Sequence, residues 1–130
     1  VVRYSNAGHQ PGPRCLSAAG CLTSFDLPGN PAGLLDEPSF EETESILGPG
    51  DRLFLCTDGL VEAMNDQRES FGADRLDQWL ADHAHAGSEQ LADGIIVAVQ
   101  KHACADRRLD DISILIISAK KEEGIPEISG

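Results

Sequence analysis

The sequence predicts an α+β domain whose helices gather on a sheet. Three observations carry that prediction. Short apolar or alternating stretches, punctuated by Gly, Pro and Asn, run through residues 1 to 56. Two stretches with apolar residues at helical spacing then follow one another between residues 73 and 102. A β-branched run, Ile112 to Ile117, closes the order. The sequence is therefore strands, two adjacent helices and a last strand, with no internal repeat or low-complexity tract.

Val1 to Ser5 reads as a strand that opens without a starter Met or polar lead-in, so the chain is expected to be part of something longer. Asn6-Ala7-Gly8-His9 and Gln10-Pro11-Gly12-Pro13 are turn chemistry. Arg14–Ser17 and Cys21–Phe25 flank Ala18-Ala19-Gly20 as a hairpin. Gly29-Asn30-Pro31-Ala32-Gly33 is a loop, and Phe40 to Leu47 is weakly strand-like. Pro49-Gly50-Asp51 turns the chain into Leu53-Phe54-Leu55-Cys56, an apolar run that suits a strand buried on both faces. Leu60 to Met64 is a short helix. Leu76, Trp79, Leu80 and His83 mark a longer one over residues 73–85. Ser88 is the expected N-cap of the next, with Leu91, Ile95, Val99 and His102 along one face. Gly94 inside it costs about 1 kcal/mol relative to Ala. His83 and His102 are read as packing residues on apolar faces, and His85 as exposed. Lys120 to Gly130 is a charged tail, giving a domain over 1–118 and a tail over 119–130.

At 130 residues the chain is one domain or part of one, large enough to hide roughly two-thirds of its unfolded surface. Its net charge of −12 argues against nucleic acid as a partner, because phosphate backbones recruit Lys and Arg. That charge suits a cation-binding protein or simply an acidic surface. The cysteines Cys15, Cys21, Cys56 and Cys104 form no C-x-x-C pair, so neither a zinc knuckle nor a redox motif is indicated. With no signal peptide and no apolar run of membrane-spanning length, the expected compartment is the cytoplasm.

Chemistry concentrates at two acid stations. Thr57-Asp58-Gly59 breaks the apolar run at its end, placing a carboxylate at the rim of a rigid strand. Leu109-Asp110-Asp111-Ile112-Ser113 reverses the order, acids first and strand second. If the two strands pair antiparallel, about 5 Å apart, the end of one meets the start of the other and Asp58 approaches Asp110. The two carboxylates could then share a metal ion. Each station alone also reads as an ordinary turn or an exposed acidic corner. His9 reads as a ligand, a phosphate contact or a satisfied loop residue. No G-x-S-x-G elbow or phosphate loop with a trailing Lys occurs, so no side-chain nucleophile is indicated.

Six short motifs stand in one order: Tyr4-Ser5-Asn6-Ala7-Gly8-His9, Gly29-x-Pro31-x-Gly33-Leu34, Pro49-Gly50-Asp51, Thr57-Asp58-Gly59-Leu60-Val61-Glu62-Ala63, Phe71-Gly72 and Asp110-Asp111-Ile112-Ser113. Together they resemble the C-terminal half of metal-dependent serine/threonine phosphatases of type 2C, over about residues 3 to 118. Within these, the chain looks like the bacterial branch typified by the stage II sporulation protein E phosphatase. The resemblance implies an antiparallel β-sandwich with flanking helices, present here as its C-terminal portion. It implies a two-metal site of Mn²⁺ or Mg²⁺ that activates water for attack on phosphoserine. Asp58 and Asp110 would be ligands and Asp111 a minor or outer one, with Gly59, Asn6 and His9 near the site. The implied partners are a phosphorylated protein substrate, an anti-sigma-factor antagonist, and an upstream sensor or receiver domain. The resemblance also places a further metal-bridging Asp upstream of Val1. The isolated chain is therefore expected to be inactive, and unpaired sheet edges to favour a homodimer. The alternative is a non-catalytic pseudophosphatase or protein-binding module in signalling.

Overall fold

The computed structural model describes residues 1–5, 9–25, 42–103 and 111–120. In chain order these form β1 (Val2–Ser5), β2 (Arg14–Leu16), β3 (Leu22–Ser24), β4 (Glu42–Ser45), β5 (Arg52–Cys56), α1 (Asp58–Val61), α2 (Gly72–Asp82), α3 (Ser88–Ala103) and β6 (Ile114–Ser118). All strand pairing is antiparallel, in a two-stranded sheet β1–β4 and a four-stranded sheet β3–β2–β5–β6. The expected hairpin is β2–β3, closed by Gly20 at φ +90°, a left-handed conformation that glycine adopts without steric cost. The sequence motifs at 6–8, 29–34 and 110 lie outside the described residues.

β5 organises the larger sheet because its apolar run can be covered on both faces. It pairs with β6 from Arg52↔Ser118 to Cys56↔Ile114. Phe54, Cys56, Ile114 and Ile116 share the face that meets the helices, where Leu16, Leu60, Leu76, Leu80, Leu91, Ile95 and Val99 are also gathered. Each of these leucines is shielded from water completely, and burial on that scale stabilises by about 1.5–3 kcal/mol per side chain. Alternation sends Leu53, Leu55, Leu115 and Ile117 to the opposite face, where Leu115 and Ile117 are exposed.

Three polar latches hold the sheet to its surroundings. The Asp51 carboxylate accepts from the backbone N–H of Ala18 and of Gly48, both at 2.8 Å, so the Pro49-Gly50-Asp51 turn is tied to the β2–β3 hairpin. Buried Arg14 donates to Asp77 at 2.8 Å and to the Gly12 carbonyl, joining β2 to α2. Arg52 donates to the carbonyls of Ala84 and Ala86, which follow α2.

Several local expectations are corrected. The first helix starts at Asp58, two residues before the expected Leu60, because only Thr57 stays extended (φ −78°, ψ 161°). Ser88 is the first helical residue of α3 and not its cap. Gly87 takes that role: its carbonyl accepts from Leu91 N–H, and Gln90 Oε1 accepts from its N–H, half of a capping box. The Ser88 hydroxyl instead meets that of Ser118 at 2.7 Å. β6 starts at Ile114 rather than Ile112, because Ser113 N–H bonds a side chain and not the β5 backbone. His83 packs as expected, stacked on Trp79 with ring centroids 4.1 Å apart, but it does so exposed at the C-terminal cap of α2 rather than on a buried face. His102 also packs, edge-on against Phe71, and bonds the Glu69 carbonyl.

Candidate metal centre

The Thr57-Asp58-Gly59 station and the described end of the second, Asp111 to Ser113, lie at the same end of the β5–β6 pair. Beyond the last ladder pair, Cys56↔Ile114, Thr57 N–H donates to the Ser113 carbonyl at 3.0 Å. The return bond comes to a side chain: Ser113 N–H donates to Thr57 Oγ1 at 2.9 Å. That hydroxyl in turn reaches the Asp111 carbonyl at 3.5 Å. One threonine therefore touches the segment carrying Asp111 and directly precedes Asp58. The antiparallel pairing expected from the sequence is present; Asp110 and Asn6 lie outside the described residues.

Asp58 occupies the first turn of α1, and its side chain is exposed while Gly59 and Leu60 behind it are buried. Leu60 anchors the short helix in the core, so the carboxylate stands on a fixed base. Asp111 is likewise exposed, one residue before Ile112, which packs against the core. His9 donates from Nε2 to the Cys56 carbonyl at 3.0 Å. It thus approaches the end of β5 and lines a cleft of about 210 Å³ with Leu55, Thr57, Ser113 and Leu115. Cys56 lies beside these groups with its side chain buried in the core. Burial pushes its thiol up to about 11, so in the absence of metal it stays protonated at neutral pH.

Asp58 and Asp111 offer hard carboxylate oxygens open to water, a donor set suited to Mg²⁺ or Mn²⁺ that keeps much of its hydration shell. Among the described residues no three His, Cys, Asp or Glu side chains come together as a ligand cluster. The residue that sequence reading missed is Thr57. Within Thr57-Asp58-Gly59 it reads as part of a turn, and its hydroxyl's partner is 56 positions away.

The profile of the stage II sporulation protein E (SpoIIE) family matches residues 1–120. The chain belongs to this family. Its fold is that of the type 2C phosphatase domains: 89% of it superposes on the SiaA-PP2C domain of Pseudomonas aeruginosa with a TM-score of 0.70 at 23% identity. The RsbU and RsbW domains of Rv1364c from Mycobacterium tuberculosis match 91% of it, with a TM-score of 0.71 at 21% identity. The phosphatase domain of SpoIIE from Bacillus subtilis, in crystals presoaked with Mn, matches 91% with a TM-score of 0.61 at 15% identity. A curated relative, protein IcfG of Synechocystis sp., is 29% identical over 116 residues, 89% of this chain. The chain spans 46%, 32% and 50% of the three solved chains and 18% of IcfG. Among the described residues no helix is long and apolar enough to cross a membrane.

Proposed function

We propose that this SpoIIE-family chain forms the Asp58–Asp110–Asp111 part of a metal-dependent protein serine/threonine phosphatase centre. The observation that carries the reading is the β5–β6 pairing, extended through Thr57 and Ser113, which brings two separated acid motifs to one end of a rigid sheet. In this reading Asp58, Asp110 and Asp111 hold Mn²⁺ or Mg²⁺. When bound, such an ion would supply an acidified water and would neutralise the phosphoryl oxygens of a phosphoserine. The chain's own part is positional. Buried Leu60 and Cys56 fix the backbone on either side of Asp58, and His9 closes the flank of the strand end. With no side-chain nucleophile, nothing on the chain is consumed in the reaction.

The substrate class in this reading is a small phosphorylated anti-sigma-factor antagonist, with an upstream sensor or receiver domain as regulatory partner. Among the described residues, which do not include Asp110, no three ligand side chains cluster. In this reading the 130-residue chain holds one ion weakly and hydrolyses phosphoserine slowly or not at all. The second reading is a non-catalytic module that keeps the fold for partner binding. The deciding experiment is thermal unfolding with and without millimolar Mn²⁺, on the wild type and Asp58→Asn. A ligand that binds only the folded state at a hundred times its dissociation constant stabilises by about 2.7 kcal/mol. A rise in melting temperature that disappears in Asp58→Asn supports a metal centre. No shift in either protein favours the binding module.

A further inference from the structure

We infer that Thr57 is a positioning residue, whose hydroxyl sets the separation of the two acid-bearing segments and through it the affinity for a divalent cation. This deepens the proposed metal centre and rests on it. The β5–β6 ladder ends at Cys56↔Ile114, and beyond it only one backbone bond, Thr57 N–H to Ser113 C=O, continues the pairing. Ile112 packs against the core, which limits the swing of the Asp111-bearing segment about that single bond without ending it. The Thr57 hydroxyl removes the freedom by accepting from Ser113 N–H at 2.9 Å while lying 3.5 Å from the Asp111 carbonyl. Its Cβ branch restricts the side chain's rotation, and its backbone is joined directly to Asp58. One side chain thus fixes both carboxylate-bearing backbones without lending an oxygen to the metal.

Ordinary helix capping is the competing role for a threonine at this place, since Thr57 immediately precedes α1. Its side chain makes no capping bond to that helix. The hydroxyl is turned across the sheet instead, toward Ser113. Outer residues that orient metal ligands typically change affinity by about 10–100-fold when removed.

The test is Mn²⁺ binding by calorimetry to the 130-residue chain, with metal-free melting temperature measured alongside. Thr57→Val keeps the shape and removes the hydroxyl; Thr57→Ser keeps the hydroxyl; Asp58→Asn reports on the centre itself. The expected result is about a tenfold weaker dissociation constant in Thr57→Val and within about twofold of wild type in Thr57→Ser. Metal-free melting is expected to differ little between the two variants, which a purely structural role would not give. Equal Mn²⁺ affinity in wild type and Thr57→Val, with Asp58→Asn impaired, overturns the positioning role and leaves the metal centre standing. No Mn²⁺ binding by the wild type overturns both. If Thr57→Val does not fold, Thr57→Ala takes its place with the same two outcomes.

Discussion

Gly94 is a case in which helix propensity and packing give opposite predictions for one substitution. The residue lies inside α3, where Ala in place of Gly ordinarily gains about 1 kcal/mol. A Cβ at this position would lie 2.7 Å from Cζ2 and 3.0 Å from Cη2 of Trp79. Real side chains do not tolerate such distances, so the indole would have to move. Trp79 is half-buried against the core and stacked on the His83 imidazole at an interplanar angle of 14°. His83 is itself held by its ring nitrogen against the Trp79 carbonyl, at 2.8 Å. Displacing the ring breaks that stack and opens the α2–α3 contact, and overpacking of this kind costs about 1–3 kcal/mol. The packing effect is the larger, and Gly94→Ala is expected to destabilise by about 1 kcal/mol. In a chain of this size that lowers the melting temperature by roughly 4 °C, readable by circular dichroism. The double-mutant cycle sharpens the test. In a Trp79→Leu background the clash is gone, and Gly94→Ala should become stabilising by about 1 kcal/mol, a coupling of about 2 kcal/mol. Stabilisation by Gly94→Ala in the wild-type background would show that the indole does not fill the groove above Gly94.

Two further outcomes follow from the latches and the buried thiol. Asp77→Ala leaves the Arg14 guanidinium, only 6% exposed, with the Gly12 carbonyl and no counter-charge. Destabilisation of about 2–3 kcal/mol is expected in urea unfolding, and adding Arg14→Met should recover most of it, because the lone buried charge is the costly species. Cys56 gives a pH dependence of definite sign. Its thiol is raised from 9.0 to about 11 mainly by burial, so between those values the unfolded chain binds fewer protons than the folded one. Stability from this group is complete below pH 9 and is lost as pH rises toward 11, by up to about 1.4 kcal/mol per pH unit. Cys56→Ser should flatten that alkaline fall. A wild-type curve equally flat from pH 9 to 11 would contradict the burial argument.

What the sequence disclosed was what local chemistry decides. The hairpin followed from Gly20 between two short strands, and α2 and α3 from Leu76, Leu80, Leu91, Ile95 and Val99 at helical spacing. The pairing of the acid-bearing strands followed from their opposite order of acid and apolar run. What stayed hidden depends on partners far along the chain. Gly94 carries a local cost that is offset by an indole 15 positions earlier. Thr57-Asp58-Gly59 reads as a turn until Leu60 is seen buried, pulling Asp58 into the first turn of a helix. Ser88 has the chemistry of an N-cap, yet Gly87 with Gln90 already satisfies that end. The hydroxyl of Thr57 finds its donor 56 residues on, which no local pattern encodes.

The approach of the acid motifs is enforced by the apolar pattern rather than by the acids themselves. A slip of one residue between β5 and β6 would misalign Phe54 and Cys56 with Ile116 and Ile114 across the ladder. It would also turn one strand's core residues toward the open face, since side chains alternate along a strand. Phe54 and Cys56 are among the most buried residues of the sheet, so that slip would forfeit several kcal/mol of burial. The core therefore sets where the two acid-bearing strand ends sit. This is why metal affinity should respond to the one hydroxyl that extends the register past the last core pair, while the fold itself should tolerate its loss.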